Sequence, residues 1–161
     1  MRNITIYESF YPPLQEVDIV GVERRLGIHL PSDYRSFLLT HNGGYPEPSV
    51  FTISRGVSGE LGVVNRFYGI WKEKEYDLLS EVETFQGRMP ANLLPIACDP
   101  GGNQICLSVS GSDRGKVYFW FHEEEADEGE PPTYDNVYFV ANSFGELLDN
   151  LVESPEELEE P

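Results

Sequence analysis

The sequence predicts an α+β fold with a largely antiparallel sheet, and three observations carry that prediction. Two segments with helical apolar spacing come first. A long middle rich in β-branched and aromatic residues, with one helical segment inside it, follows. A final segment with a helix-start signal closes the pattern.

Taken in order, residues 3–7 read as a short edge strand. Residues 16–26 read as a helix with Val17, Ile19, Val20, Val22 and Leu26 on its apolar side; Gly21 weakens it, and Gly27 suits a left-handed C-terminal cap. After Leu30-Pro31, Ser32 is placed to cap a second helix running to His41, with Asp33 in its first turn. Tyr34, Phe37, Leu38 and His41 share one face, and Asn42-Gly43-Gly44 ends the helix. Residues 50–53 and 65–71 read as strands, and 75–85 as a third helix carrying Leu78, Leu79, Val82 and Phe85. Residues 94–98 and 104–109 form a predicted hairpin around the turn formers of 99–103. In the strand 116–121, Val117, Phe119 and Phe121 point one way and Tyr118 and Trp120 the other; two apolar faces mark an interior strand. A loop of seven acids between Glu123 and Asp135 leads to a strand at 137–140. Ser143-Phe144-Gly145-Glu146 then fits a capping box before Leu147, Leu148, Leu151 and Val152. Residues 1–152 are read as one domain and 153–161, with five acids and two prolines, as an acidic disordered tail.

Charge is the most informative part of the composition. Twenty-eight acids against 11 bases give a net charge of −17. Up to Lys116 the net is −3; from Val117 onward 14 acids face no base. Such a field repels nucleic acid and anionic membrane and draws in basic protein surfaces, although it also serves solubility alone. No apolar stretch approaches the roughly 20 residues of a membrane span, and the N-terminal residues lack the pattern of a secretory signal, so the expected location is the cytoplasm. Cys98 and Cys106 are expected as buried, reduced thiols; a redox or metal pair is the alternative, without Cys-x-x-Cys spacing to support it.

Catalytic and metal chemistry find little purchase. His29, His41 and His122 show neither a His-Glu-x-x-His pattern nor metal-ligand spacing, and all three are expected in structural roles; the carbonyl end of the second helix favours a charged His41. Gly101-Gly102-Asn103 lacks the lysine and following helix of a phosphate loop and reads as a hairpin turn. The acidic loop lacks the order of a calcium-binding EF-hand. The expectation is a non-enzyme with no cofactor and no metal. The candidate partner-binding residues are Glu123, Glu124, Glu125, Asp127, Glu128 and Glu130, which lie within eight residues with no base among them.

One set of motifs is familiar. Val22-Glu23-Arg24-Arg25-Leu26-Gly27, Leu30-Pro31, Asp33-Tyr34, Phe37-Leu38 and Asn42-Gly43-Gly44 resemble the opening of the SUKH superfamily, in the branch named for fungal cell-wall-assembly regulators of the Smi/Knr type. Leu94-Pro95-Ile96-Ala97, Gly102 to Leu107, Gly115-Lys116-Val117-Tyr118, His122-Glu123 and Ser143-Phe144 follow in matching order, so the resemblance spans about residues 15–152. It implies a mixed, largely antiparallel sheet with helices packed on one side. For bacterial members it implies an immunity protein that binds and neutralises a cognate toxin domain, often a nuclease; for fungal relatives, an intracellular scaffold or regulator. It brings no catalytic residues. The expected partner is a protein with a basic surface, such as a toxin domain.

Overall fold

The computed structural model of the chain describes residues 4–8, 13–72 and 75–153, so all of the predicted tail except Glu153 lies outside the described residues. Helices α1 (Glu16–Leu26) and α2 (Ser32–His41) occupy their predicted spans. Gly27 ends α1 at φ 69°, the left-handed conformation that a residue without Cβ adopts at no steric cost. The apolar side of α1 is narrower than its sequence implies: Ile19 and Val22 are buried, while Val17 and Val20 face outward. Ser32 does not cap α2. It is the first helical residue, Pro31 holds the cap position, and no side chain caps the helix end. Asp33 instead joins two helices, accepting the Tyr34 N–H at 2.8 Å and the Gly145 N–H at 3.0 Å.

Two short antiparallel ladders flank a larger sheet. β1 (Thr5–Tyr7) pairs with β2 (Tyr45–Glu47), and β3 (Val50–Ile53) pairs with β4 (Glu60–Val63). The main sheet has the order β5 (Arg66–Phe67), β6 (Leu93–Cys98), β7 (Gln104–Ser108), β8 (Val117–Trp120) and β9 (Val137–Ala141), with every neighbouring pair antiparallel. The strand predicted over 65–71 is shorter because its later amides go elsewhere. Ile70 N–H donates to Asn42 Oδ1 at 2.7 Å and Trp71 N–H to Asp77 Oδ1 at 2.9 Å.

Helix α3 (Leu78–Phe85) begins after Asp77, not at residue 75. The Asp77 carboxylate caps it, accepting the Ser80 N–H and Oγ–H. Helix α4 (Phe144–Asn150) starts at Ser143, whose Oγ accepts the Glu146 N–H at 3.0 Å; Glu146 reaches back to the Asn142 N–H, one residue beyond a capping box.

The sheet is covered on both faces. The larger core holds Ile19, Tyr34, Phe37, Phe67, Phe119 and Phe144, and its ring centroids at Phe37–Phe67, Phe37–Phe144 and Tyr34–Phe144 lie 5.0, 5.0 and 5.1 Å apart. Buried residues of α1, α2 and α4 belong to it. The second cluster is Phe85, Met89, Leu93, Cys106 and Trp120. Here the end of α3 sets Phe85 edge-on to Trp120 at 5.4 Å. β8 thus sends Val117 and Phe119 into one core and Trp120 into the other, as its alternation predicts. Cys98 pairs in register with Gln104, and a bulge in β6 sets Cys106 opposite Pro95. The two thiols are free and buried in different clusters.

One carboxylate is buried between α1 and α2. Glu23 accepts the Leu30 N–H at 2.8 Å and an Arg35 N–H at 3.0 Å. Burial pushes the Glu23 carboxyl up, but the bonds from Arg35 and Leu30 and the nearby positive charge outweigh it and hold it below the usual range.

Candidate partner-binding surface

The acidic loop grows from a fixed neck. Phe121 N–H donates to the Asn136 carbonyl at 3.0 Å, and the Asn136 side-chain Nδ2 donates to the Phe121 carbonyl at 2.9 Å, so one backbone and one side-chain bond close the ends of the loop. A 3-10 turn at His122–Glu124 leads out of β8. His122 is committed to supporting it: its N–H donates to Asn103 Oδ1 at 3.0 Å, and its Nε2 lies 2.9 Å from the Gly101 carbonyl. Asp99 in turn accepts the Gly101 and Asn103 N–H groups, so the glycine-rich turn buttresses the acidic loop.

The loop is not free of bases in three dimensions, which corrects the picture drawn from the linear sequence. Arg55, from the β3–β4 hairpin, meets Glu124 at 2.6 Å, and Tyr138 donates to the same carboxylate at 3.0 Å. Arg88, just after α3, takes Glu125 in a two-pronged contact at 2.9 and 3.2 Å. Each guanidinium also lies on aromatic rings, Arg55 over Phe121 at 4.3 Å and Arg88 over Phe85 at 4.8 Å. Glu124 and Glu125 therefore anchor the loop. Glu123, Asp127, Glu128 and Glu130 are exposed and make no ion pair with a described residue. The six candidate acids thus divide into two that hold the loop and four that face solvent.

Two clefts adjoin this surface. One, of about 500 Å³, is lined by Arg88, Glu125, Asp127, Glu128 and Glu130. The other, of about 570 Å³, is lined in part by Leu79, Val82, Phe85, Met89, Leu93 and Pro132. They share Gly87 and Pro132, so an acidic trough runs into one whose lining is partly apolar. Nothing in the linear spacing signals this arrangement, because Arg55 and Arg88 stand 69 and 37 residues from the acids they bind.

The other histidines stand apart. His29 is exposed beside Glu23, and His41 packs on Phe37 with ring centroids 5.5 Å apart. Burial holds the His41 imidazole below its usual pKa, so desolvation outweighs the helix end that favours its charged form. Among the described residues no group of three His, Cys, Asp or Glu side chains is placed to hold a metal ion, and no helix is long and apolar enough to cross a membrane.

Comparison with known proteins adds two findings. The family model described as the SMI1 / KNR4 family (SUKH-1) matches residues 13–150. The chain is also similar to the SPbeta prophage-derived uncharacterized protein YokK of Bacillus subtilis (strain 168), at 29% identity over 171 residues, covering 96% of this chain and 84% of that protein.

Proposed function

The chain belongs to the SMI1 / KNR4 family (SUKH-1), and from that premise we propose that it is a protein-binding module, an immunity protein that neutralises a toxin domain bearing a basic surface. The observation that carries this reading is the built acidic loop. Its neck is closed, two arginine contacts fix its first turn, and four carboxylates are left facing solvent. Fixing a loop before contact lowers the ordering cost of binding, and uncompensated acids steer a basic partner inward. A nuclease domain needs basic residues for its own substrate, and carboxylates presented in this way occupy them as phosphates would. The protein acts by occupancy, without catalysis, in keeping with histidines committed to a turn, packed on a ring or left in solvent.

The test is co-expression and pull-down with any toxin domain found to be encoded beside this gene, followed by stopped-flow association. Replacing Glu123, Glu128 and Glu130 with Gln and Asp127 with Asn leaves both anchors intact. Association at low salt is expected to slow by roughly ten- to a hundredfold, with a flatter salt dependence. At 0.3 M salt screening leaves a reach of only about 6 Å, so a loop in contact still weakens affinity there. Unchanged affinity at that ionic strength excludes the loop from the interface.

A further inference from the structure

The β3–β4 hairpin leaves one strand edge open. Val64 N–H donates to the Ser49 carbonyl at 2.9 Å. Successive residues of a strand aim their N–H and C=O groups to opposite sides, so Glu60 and Gly62 face β3 while Leu61 and Val63 face away from it. The far side of β3 is already taken. Val50 exchanges both backbone bonds with Val152, at 3.0 and 2.9 Å, and Ser54 N–H donates to the Phe139 carbonyl of β9 at 2.9 Å. β4 is therefore the outer strand, and the outward amides and carbonyls of Leu61 and Val63 meet no described residue.

The side chains along this edge are unusually apolar. Leu61 is 47% and Val63 38% exposed on one face, and Val57 at the hairpin tip is fully exposed. On the opposite face Gly62 lies against the Phe51 ring, where a Cβ would approach to 2.6 Å; only glycine lets the strand lie flat there. Open edges are normally blunted by lysine, proline or a bulge. β4 reads Glu-Leu-Gly-Val, and its register with β3 is unbroken.

We propose that β4 is a docking edge that accepts an extended strand from a basic protein partner. Directly opposed residues share a face, so the incoming strand carries apolar residues against Leu61 and Val63 and Lys or Arg at the alternate positions. The basic character follows from the surroundings. Arg55 meets Glu60 at 3.2 Å and Glu124 at 2.6 Å, which joins the hairpin to the acidic loop. A second copy, at net −17, would bring like charge to the same edge. The inference goes beyond the immunity role by stating the form of the contact, and it shares with that role only the charge of the partner.

The test uses the full chain, labelled with nitrogen-15, and a cyclised β-hairpin peptide whose free edge alternates valine and lysine. Cyclisation removes the ordering cost from the binding step. The Leu61 and Val63 amide signals should shift most, and their hydrogen exchange at saturation should slow by roughly tenfold or more. Leu61→Pro removes an outward N–H that β3 does not use and should abolish both effects; Leu61→Lys, which keeps the backbone donor but adds a like charge to the peptide's, should weaken them. Each variant's own spectrum reports whether the hairpin remains folded. Shifts confined to residues 123–130, no shifts, or undiminished binding by both variants would overturn the proposal. So would concentration-dependent shifts of Leu61 and Val63 without peptide, which would assign the edge to a second copy. The peptide assay requires no toxin, so its failure leaves the immunity reading standing, and a failed pull-down leaves the edge standing.

Discussion

Replacing Asp77 with alanine should cost about 2.5–4 kcal/mol, and the structure apportions the loss. Asp77 is buried at 4% exposure, and its two oxygens serve different ends. Oδ2 accepts the Ser80 N–H at 3.0 Å and the Ser80 hydroxyl at 2.9 Å, capping α3. Oδ1 accepts the Trp71 N–H at 2.9 Å and fixes the segment leading from β5 to α3. Loss of an N-cap costs about 1 kcal/mol, and loss of a hydrogen bond to a charged group about 1.5–3 kcal/mol. Asp77→Ser keeps the cap but cannot span to Trp71, so it should recover about 1 kcal/mol of the deficit. Urea unfolding followed by tryptophan fluorescence and circular dichroism measures both variants. In thermal melts the alanine variant should fall by about 5–15 °C, at about 2–4 °C per kcal/mol for a chain of this length. An alanine variant within about 0.5 kcal/mol of the parent would refute the reasoning, and a serine variant as damaged as alanine would refute the assignment of the cap.

Three further outcomes are expected. Arg88→Met keeps an apolar stem over Phe85 while removing the contact to Glu125, so amides of the acidic loop should exchange faster while the denaturant midpoint moves little; unchanged exchange would deny Arg88 its anchoring role. Cys98 and Cys106 should count as two free thiols on unfolding and react slowly before it, since burial pushes both above the usual thiol range; a native disulfide would contradict their placement in different clusters. His41 should lower stability as pH falls from about 7 to 5: its folded pKa lies below the usual value of 6.5, so the unfolded chain binds more protons in that window. His41→Gln should flatten that part of the pH–stability curve, and an unaltered slope would remove His41 as its source.

How much of this was legible in the sequence follows from how local each feature is. α1, α2 and the β6–β7 hairpin announce themselves through periodicity, Gly27 and a dense turn, all signals within a few residues. The two-sided burial of β8 is equally plain, because alternate residues are apolar on both faces. β2 and β4 escape because Pro46 and Gly62 break the β-rich pattern; β2 becomes a strand through the distant β1, and β4 through its hairpin with β3. The start of α3 was readable in principle: Asp77 stands three residues before the Ser80 amide it caps. The acidic loop is visible as composition. Its division into anchoring and solvent-facing carboxylates is not, since that depends on Arg55 and Arg88 arriving from other elements.

The closed neck between Phe121 and Asn136 makes the acidic loop a replaceable cassette. With its ends already paired, lengthening the connection adds only closure entropy, about 0.6 kcal/mol for each doubling of a flexible loop. A different sequence of different length could be spliced between the same two residues, leaving the sheet to fold around Trp120 and Phe119 as before. Such a graft would forfeit the Arg55 and Arg88 contacts and the His122 bonds to Asn103 and Gly101 unless it supplied groups of its own at their reach. The two arginines and the glycine-rich turn together set the rule for which inserts would be held in one shape and which would hang loose.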